Sequence, residues 1–196
     1  PAAFWRYFET FQAENRPFLG ENWTSGQEVG LRLIALAFAG VVFANAEQTT
    51  PPRLAALAAA IGLHASRIVP TLAYARAQNN NHLLSEAAAL YTAGLALPDN
   101  PQAENWRKIG VKWLKWCFKH QIDSSGEYVQ HSVNYHRLML QLALWVNVIA
   151  SRMKSGEAIS SSQQGIASGK YSPRNDMAAR ENLSLAAHWL FCLLDL

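Results

Sequence analysis

Residues 78–86 of the chain read QNNNHLLSE. Three successive asparagines and a histidine disfavour a helix, because short polar side chains compete for the backbone hydrogen bonds. The residues that follow, 83–97, are rich in Ala and Leu and predict one. The polar run therefore lies at a helix entrance, where asparagine is a favoured N-cap and free N–H groups attract an anion. A capped loop with a solvated histidine is the alternative interpretation.

A second polar and aromatic segment, residues 127–137 with the sequence EYVQHSVNYHR, precedes another apolar helix. It resembles the first segment in its position, directly before a helix of largely apolar residues. Two such entrances in one helical chain predict that both contribute to a shared site.

The composition favours a single folded domain over residues 1–196. Half of the residues are hydrophobic and 16% are charged, which suffices for a core and excludes a disordered chain. A net charge of +3 is compatible with an anionic partner but too weak to indicate nucleic acid. The two cysteines, Cys117 and Cys192, lack metal-ligand spacing, and the apolar run 33–46 is too short to cross a bilayer. We therefore predict no metal, no nucleic-acid partner and no membrane segment.

Hydrophobic periodicity predicts about seven helices and no convincing strand. The predicted ranges are 3–15, 25–46, 51–75 with a kink at Pro70, 83–97, 103–121, 132–154, and about 174–196. The second and sixth helices are apolar nearly all round, which indicates burial. The fifth is amphipathic, and its predicted apolar face comprises Trp106, Ile109, Trp113, Trp116 and His120. The fold class is all-α, with inner and outer helix layers rather than a four-helix bundle.

Three segments resemble the helical domain of heparinase II/III-like polysaccharide lyases. They are residues 20–32 (GENWTSGQEVGLR), residues 79–82 (NNNH) and residues 127–137, in the order and spacing of that family. The resemblance implies an incomplete (α/α) toroid, followed in longer members by a β-sandwich that contributes a histidine to the cleft. Because nothing in this chain resembles a β region, we expect a helical toroid that is a fragment of a larger protein. Its partner would be that C-terminal β-sandwich.

The resemblance also implies the activity of a carbon–oxygen lyase, which cleaves an acidic polysaccharide by β-elimination beside a uronic acid. The substrate would be heparin/heparan-like, alginate-like or an exopolysaccharide. Asn81 and His82 match the family positions that bind the uronate carboxylate, and Tyr135 matches the catalytic tyrosine. A free phenol titrates near pH 10, so Tyr135 needs nearby positive charge or strong hydrogen-bond donors to act at neutral pH. The helical part requires no cofactor.

Further candidates for substrate contact, each with a structural role as the alternative, are Trp23, Asn80, His131, His136 and Arg137. The last three are also the candidates for supplying positive charge to Tyr135. The substrate class leads us to expect a periplasmic or secreted protein.

Two other functions remain open at this point. A glycoside hydrolase needs two carboxyl groups across a cleft, and the acidic residues near the two polar segments are Glu86, Asp123 and Glu127. A non-catalytic module that binds an acidic glycan is the other alternative. A metalloenzyme is disfavoured, because the histidines lack metal-ligand spacing.

Overall fold

The structure, a computed structural model, describes residues 1–154 and the side chains of residues 1–150. This part contains seven α-helices: α1 (Ala2–Glu14), α2 (Gly26–Val42), α3 (Pro51–Ile68), α4 (Leu72–Gln78), α5 (Asn81–Ala96), α6 (Ala103–His120) and α7 (Val133–Lys154). It contains no named strand, only an isolated antiparallel bridge between Ile122 and Tyr128. The all-α class is therefore confirmed for the described residues. The predicted final helix and Cys192 lie outside them.

The helix boundaries follow local sequence signals. Ser25 caps α2, its Oγ accepting a hydrogen bond from the Glu28 amide at 3.3 Å. Asn80 caps α5 in the same way, its Oδ1 accepting from the His82 amide at 2.9 Å. The predicted break at Pro70 is confirmed, since a short 3-10 turn over Val69–Thr71 separates α3 from α4. Polar caps and one proline thus place the α5 entrance beside the end of α4.

Helix α5 lies at the centre of the described fold. Every residue from Leu83 to Leu95 on it is buried. It packs most extensively on α6 and α2 and also contacts α7, α4 and α3, while α2 packs on α3 as well. The sequence predicts the deepest burial for the second and sixth predicted helices, which correspond to α2 and α7 of the structure. Instead Phe38 of α2 is 54% exposed and Leu144 of α7 is 64% exposed, because each helix packs on its neighbours along one side only.

The buried face of α6 differs from the predicted one. Its fully buried positions are Ala103, Trp106, Gly110, Leu114, Cys117 and Phe118. The predicted residues Ile109, Trp113 and Trp116 are half-buried, and His120 is exposed. Small residues explain the rotation: Gly110 lets the α6 backbone approach the backbone of α5 at Tyr91 and Ala87. Trp106 of the predicted face is buried, whereas Trp113 and Trp116 are turned to the flank of the helix.

By length and composition alone, the run Pro51–Gln78 is apolar enough to cross a membrane. Core helices of water-soluble proteins pass the same test, and here a third of the apolar stretch is buried within the fold. The absence of a membrane segment stays a prediction.

Candidate functional site

A hairpin-like segment, residues 121–130, holds the entrance of α5. Its two sides are joined by hydrogen bonds from the Val129 amide to the Gln121 carbonyl, 2.8 Å, and from the Asp123 amide to the Glu127 carbonyl, 3.0 Å. Two glutamine side chains connect this 121–130 hairpin to the asparagine run. The two polar segments identified in the sequence are therefore in direct contact.

The first of these side chains is Gln121, which is 1% exposed. Its Nε2 donates to the Asn80 carbonyl at 3.0 Å and to Asn79 Oδ1 at 3.3 Å. The second is Gln130, whose Oε1 accepts from the Asn81 amide at 2.9 Å. That amide belongs to the first turn of α5 and has no partner within the helix. Gln130 thus completes the cap that Asn80 begins.

The asparagine–histidine pair is unequally accessible. Asn81 is only 3% exposed, whereas His82 is half-buried. Burial lowers the pKa of His82, and the Glu28 carboxylate opposes that shift. A neutral imidazole is therefore favoured, and it can still donate one hydrogen bond to a carboxylate. Of the two predicted carboxylate-binding side chains, His82 is the one open to a substrate.

The start of α2 also borders the site. Gln27 Nε2 lies 3.5 Å from Ser85 Oγ on α5, and the charge of Glu28 acts on His82. Glu28 lies within the segment 20–32 that resembles the lyase family, but it was not among the predicted site residues. A local stretch of sequence does not indicate a neighbour more than fifty residues further on.

Tyr135 lies in the first turn of α7 and is 42% exposed. The positive end of a helix dipole favours negative charge on a group placed there. Arg137 is exposed on the same turn. His131 is also exposed, and its Nδ1 lies 2.6 Å from Glu127 Oε1 on the hairpin. Tyr135 is thus accessible. It follows Gln130 by five residues, and the Gln130 side chain accepts a hydrogen bond from the Asn81 amide.

His136 does not fit the predicted substrate contact. Its side chain is fully buried, and its ring lies 6.5 Å from that of Tyr128, edge to face. Helical geometry explains the difference from Tyr135, because adjacent residues on a helix point about 100° apart. Arg137 and His131 remain as the candidates for positive charge near Tyr135.

Trp23 likewise does not fit the predicted role in stacking on a sugar. It is 2% exposed and packs between Phe18, at 5.4 Å between ring centroids, and His64, at 4.6 Å. Arg67 Nε donates to the Trp23 carbonyl at 2.9 Å. Trp23 therefore holds the loop between α1 and α2 against α3.

Arg32, on the nearly apolar α2, is satisfied without an anion. Its Nε donates to His64 Nε2 at 3.1 Å, another nitrogen donates to the Asn22 carbonyl, and its guanidinium lies 4.7 Å above the Phe11 ring. Burial lowers the pKa of His64 to about 4, so this ring is neutral and accepts from Arg32. Its Nδ1–H then donates to the Ala60 carbonyl at 2.7 Å.

The carboxyl groups do not form the pair that a hydrolase needs. Burial raises the pKa of Glu86 to about 7, as for a general acid, but this side chain is 1% exposed and contacts Thr71 and Gly26. Asp123 accepts hydrogen bonds from Ser125 and Glu127, which lower its pKa and close a turn. The carboxyl group of Glu86, whose pKa is raised, is therefore closed to a substrate.

Within residues 1–154, no cluster of three or more His, Cys, Asp or Glu side chains is placed to hold a metal ion. Burial raises the pKa of the Cys117 thiol, which makes it unreactive. A surface depression of about 380 Å³ lies at the opposite end of α5, lined mainly by alanines and by Leu97, Pro98, Asp99 and Asn100. Its only charge is a carboxylate, so it is not suited to an acidic glycan.

Comparisons with known proteins identify the family of the chain. The family model described as the heparinase II/III N-terminus matches residues 12–164, and the chain belongs to this family. A heparin-sulfate lyase of Bacteroides thetaiotaomicron (strain ATCC 29148 / DSM 2079 / JCM 5827 / CCUG 10774 / NCTC 10582 / VPI-5482 / E50) is 32% identical over 94 residues, which are 48% of this chain and 13% of that enzyme. The chain thus corresponds to a small part of the length of this relative. No solved structure matches it.

Proposed function

We propose that this chain is the helical, incomplete (α/α) toroid domain of a polysaccharide lyase that acts on an acidic polysaccharide beside a uronic acid. Membership of the heparinase II/III family and the similarity to a heparin-sulfate lyase support the class of activity. The observation that carries the proposal is the bond between Gln130 and the Asn81 amide, because it joins the two segments that the resemblance assigns to the site. A polymer of this kind is degraded outside the cytoplasm, so we propose a periplasmic or secreted location.

In the proposed reaction the uronate carboxylate is first neutralised by hydrogen-bond donors, which makes the C5 proton more acidic. His82 donates from the accessible side of the α5 entrance, next to the buried Asn81, the second donor that the resemblance implies. The N–H groups of the first turn of α5 add positive potential at the same place. These donors stabilise the negative charge that develops on the carboxylate as the proton leaves.

Tyr135 is the proposed base and acid. As a phenolate it removes the C5 proton, the C5–H electrons form a double bond between C4 and C5, and the C4–O bond breaks. The phenol formed in this step then protonates the leaving oxygen, so that no proton is gained or lost overall. The N-terminal end of α7 provides positive potential where Tyr135 lies, and Arg137, exposed on the same helix, is a proposed contact to the substrate.

The β-sandwich of longer family members would form the other wall of the cleft, as the resemblance implies. The activity test therefore uses the whole protein that contains this chain. Replacing Tyr135→Phe removes the transferable proton and keeps the ring. We expect turnover to fall by about 100-fold or more, while binding of a short heparin oligosaccharide is retained. Turnover is measured as the ultraviolet absorbance of the new double bond.

Tyr7→Phe is the matched control, since Tyr7 is 67% exposed on α1, outside the proposed site. Full turnover in Tyr135→Phe would contradict the proposed base. Cleavage without a new double bond would indicate a hydrolase instead. Binding without any cleavage by the parent protein would indicate a glycan-binding module.

A further inference from the structure

We propose that one flank of α6 binds a sugar residue of the same acidic polysaccharide, outside the cleavage site. This aromatic flank consists of Trp113, Trp116 and His120 of α6, with the cationic side chains of Lys112 and of Arg76 on α4. The inference rests on the proposed function for the identity of the polymer. It adds a binding surface that the similarity to known lyases does not assign.

The three rings follow one another along the helix. The ring centroids of Trp113 and Trp116 are 6.2 Å apart at 73°, and those of Trp116 and His120 are 5.0 Å apart at 36°. Both tryptophans are half-buried and His120 is exposed. Packing against the core therefore holds one side of the row, and the other side is open to solvent. One face of a pyranose ring carries C–H groups that pack on an indole, and Trp presents a large, rigid surface for such contact.

Two cations are held at one end of the row. The Arg76 guanidinium lies 5.5 Å from the centre of the Trp113 ring, and Lys112 Nζ lies 5.0 Å from it. An arginine resting on a ring keeps its N–H edges available for a carboxylate or sulfate. Because the ring restricts both side chains, less conformational entropy is lost when an anion binds.

The positive charges of Arg76 and Lys112 beside Trp113 favour an anionic ligand. Within residues 1–154 the salt bridges join Arg53 to Glu9, Lys108 to Glu104 and His131 to Glu127. None of them uses Arg76 or Lys112. Positive charge beside an aromatic surface is the chemistry that an acidic sugar recognises through its anionic group and its apolar face together.

The aromatic flank ends one residue before Gln121, which connects α6 to the entrance of α5. Helix α6 ends at His120, and the next residue, Gln121, donates hydrogen bonds to Asn79 and Asn80 at the entrance of α5. Eight residues of helix separate Trp113 from Gln121, which corresponds to about 12 Å. That is longer than one sugar ring. A polymer bound at His82 and extending along α6 therefore reaches the flank with its neighbouring residues.

The experiment compares a heparin tetrasaccharide with a heparin dodecasaccharide, using the 196-residue chain and isothermal titration calorimetry. We expect Trp116→Ala and Arg76→Gln each to weaken binding of the dodecasaccharide by about 5- to 10-fold, the loss of one good contact. Binding of the tetrasaccharide should change by less than about twofold, because it fits within the cleavage site. Lys108→Gln is the matched control, since it removes the same charge from α6 where Glu104 already pairs with it.

Unchanged affinity of both variants for the dodecasaccharide overturns the inference, as does equal binding of a neutral dextran of the same length. Failure of the parent chain to bind the dodecasaccharide overturns it too. Circular dichroism confirms that the exposed Arg76→Gln and Lys108→Gln variants are folded. The lyase proposal is judged separately by turnover in Tyr135→Phe, so either proposal can fail while the other stands.

Discussion

The carboxyl group of Glu86 links the stability of the fold to pH. Its pKa is raised by burial to about 7 from a usual value of 4.5, so the folded state favours the protonated form. The stabilising contribution of Glu86 is then fully present below pH 4.5 and is lost as the pH rises through 7. This difference in pKa corresponds to a loss of about 3 kcal/mol in the free energy of unfolding between pH 4.5 and pH 7.

Glu86→Gln tests this relation, because the amide keeps an oxygen for the Thr71 hydroxyl and cannot ionise. We expect the variant to gain up to about 3 kcal/mol over the parent at pH 8 and close to nothing at pH 4. Urea unfolding at both pH values measures the difference. Glu14→Gln, on an exposed position of α1, serves as the control. A gain that is the same at both pH values would contradict the raised pKa.

Local sequence signals predicted part of the site at this scale. The asparagine cap of α5, at Asn80, depends on neighbouring residues only, and it is confirmed. The burial of Trp23 and His136 depends on contacts with residues distant in sequence, or on which side of a helix faces the core. A stretch of sequence read alone contains no such information. Arg32 shows the same limit, because its acceptor is the ring of His64, 32 residues away.

At the scale of the elements, the close contact of α5 and α6 depends on glycine. A Cβ atom added to Gly110 would lie 2.7 Å from the Tyr91 amide nitrogen and 2.8 Å from the Ala87 carbonyl oxygen. Both are backbone atoms of a buried helix and cannot move aside singly. We therefore expect Gly110→Ala to lower the free energy of unfolding by about 1–3 kcal/mol, the usual cost of overpacking. Urea unfolding measures it.

Gly62 of α3 offers the matched control, since the nearest atoms to an added Cβ are 3.8 Å away. Gly62→Ala should stabilise the protein by roughly 0.5–1 kcal/mol, because alanine loses less backbone entropy in a helix than glycine does. Equal effects of the two substitutions would show that α5 and α6 do not meet at Gly110.

The same contact explains why helix ranges were predictable and the α6 face was not. Periodicity identified α6 over nearly its whole length, but a helix with tryptophans on one side and small residues beside them has two plausible buried faces. The structure buries Gly110 and Leu114, because small residues bring two helix axes closer than tryptophans can. The displaced Trp113 and Trp116 then form the aromatic flank.

At the scale of the whole molecule, the side chains of Gln121 and Gln130 connect the two parts of the candidate site. The 121–130 hairpin belongs to the connection between α6 and α7, and the asparagine run belongs to the connection between α4 and α5. Their spacing in the sequence does not indicate contact. The two polar helix entrances, and then the resemblance to a lyase family, predicted a shared site, and the hydrogen bonds of Gln121 and Gln130 explain the contact between the two segments.

Gln130→Ala tests whether that connection organises the site. The substitution removes the acceptor of the Asn81 amide and leaves the core unchanged, so the global stability should fall by no more than about 1.5 kcal/mol. The first turn of α5 should open more often, and we expect the Asn81 amide to exchange its hydrogen about tenfold faster, as the loss of one hydrogen bond implies. Gln102→Ala is the control, because Gln102 makes a comparable exposed contact with Asn105 at the start of α6. Hydrogen exchange by NMR measures both variants.

In the whole protein the looser entrance should raise KM for the polysaccharide more than it lowers kcat, since Gln130 positions the binding residues and does not transfer a proton. Unchanged exchange at Asn81, with Gln130→Ala folded, would mean that Asn80 alone maintains the cap and that the hairpin does not organise the site.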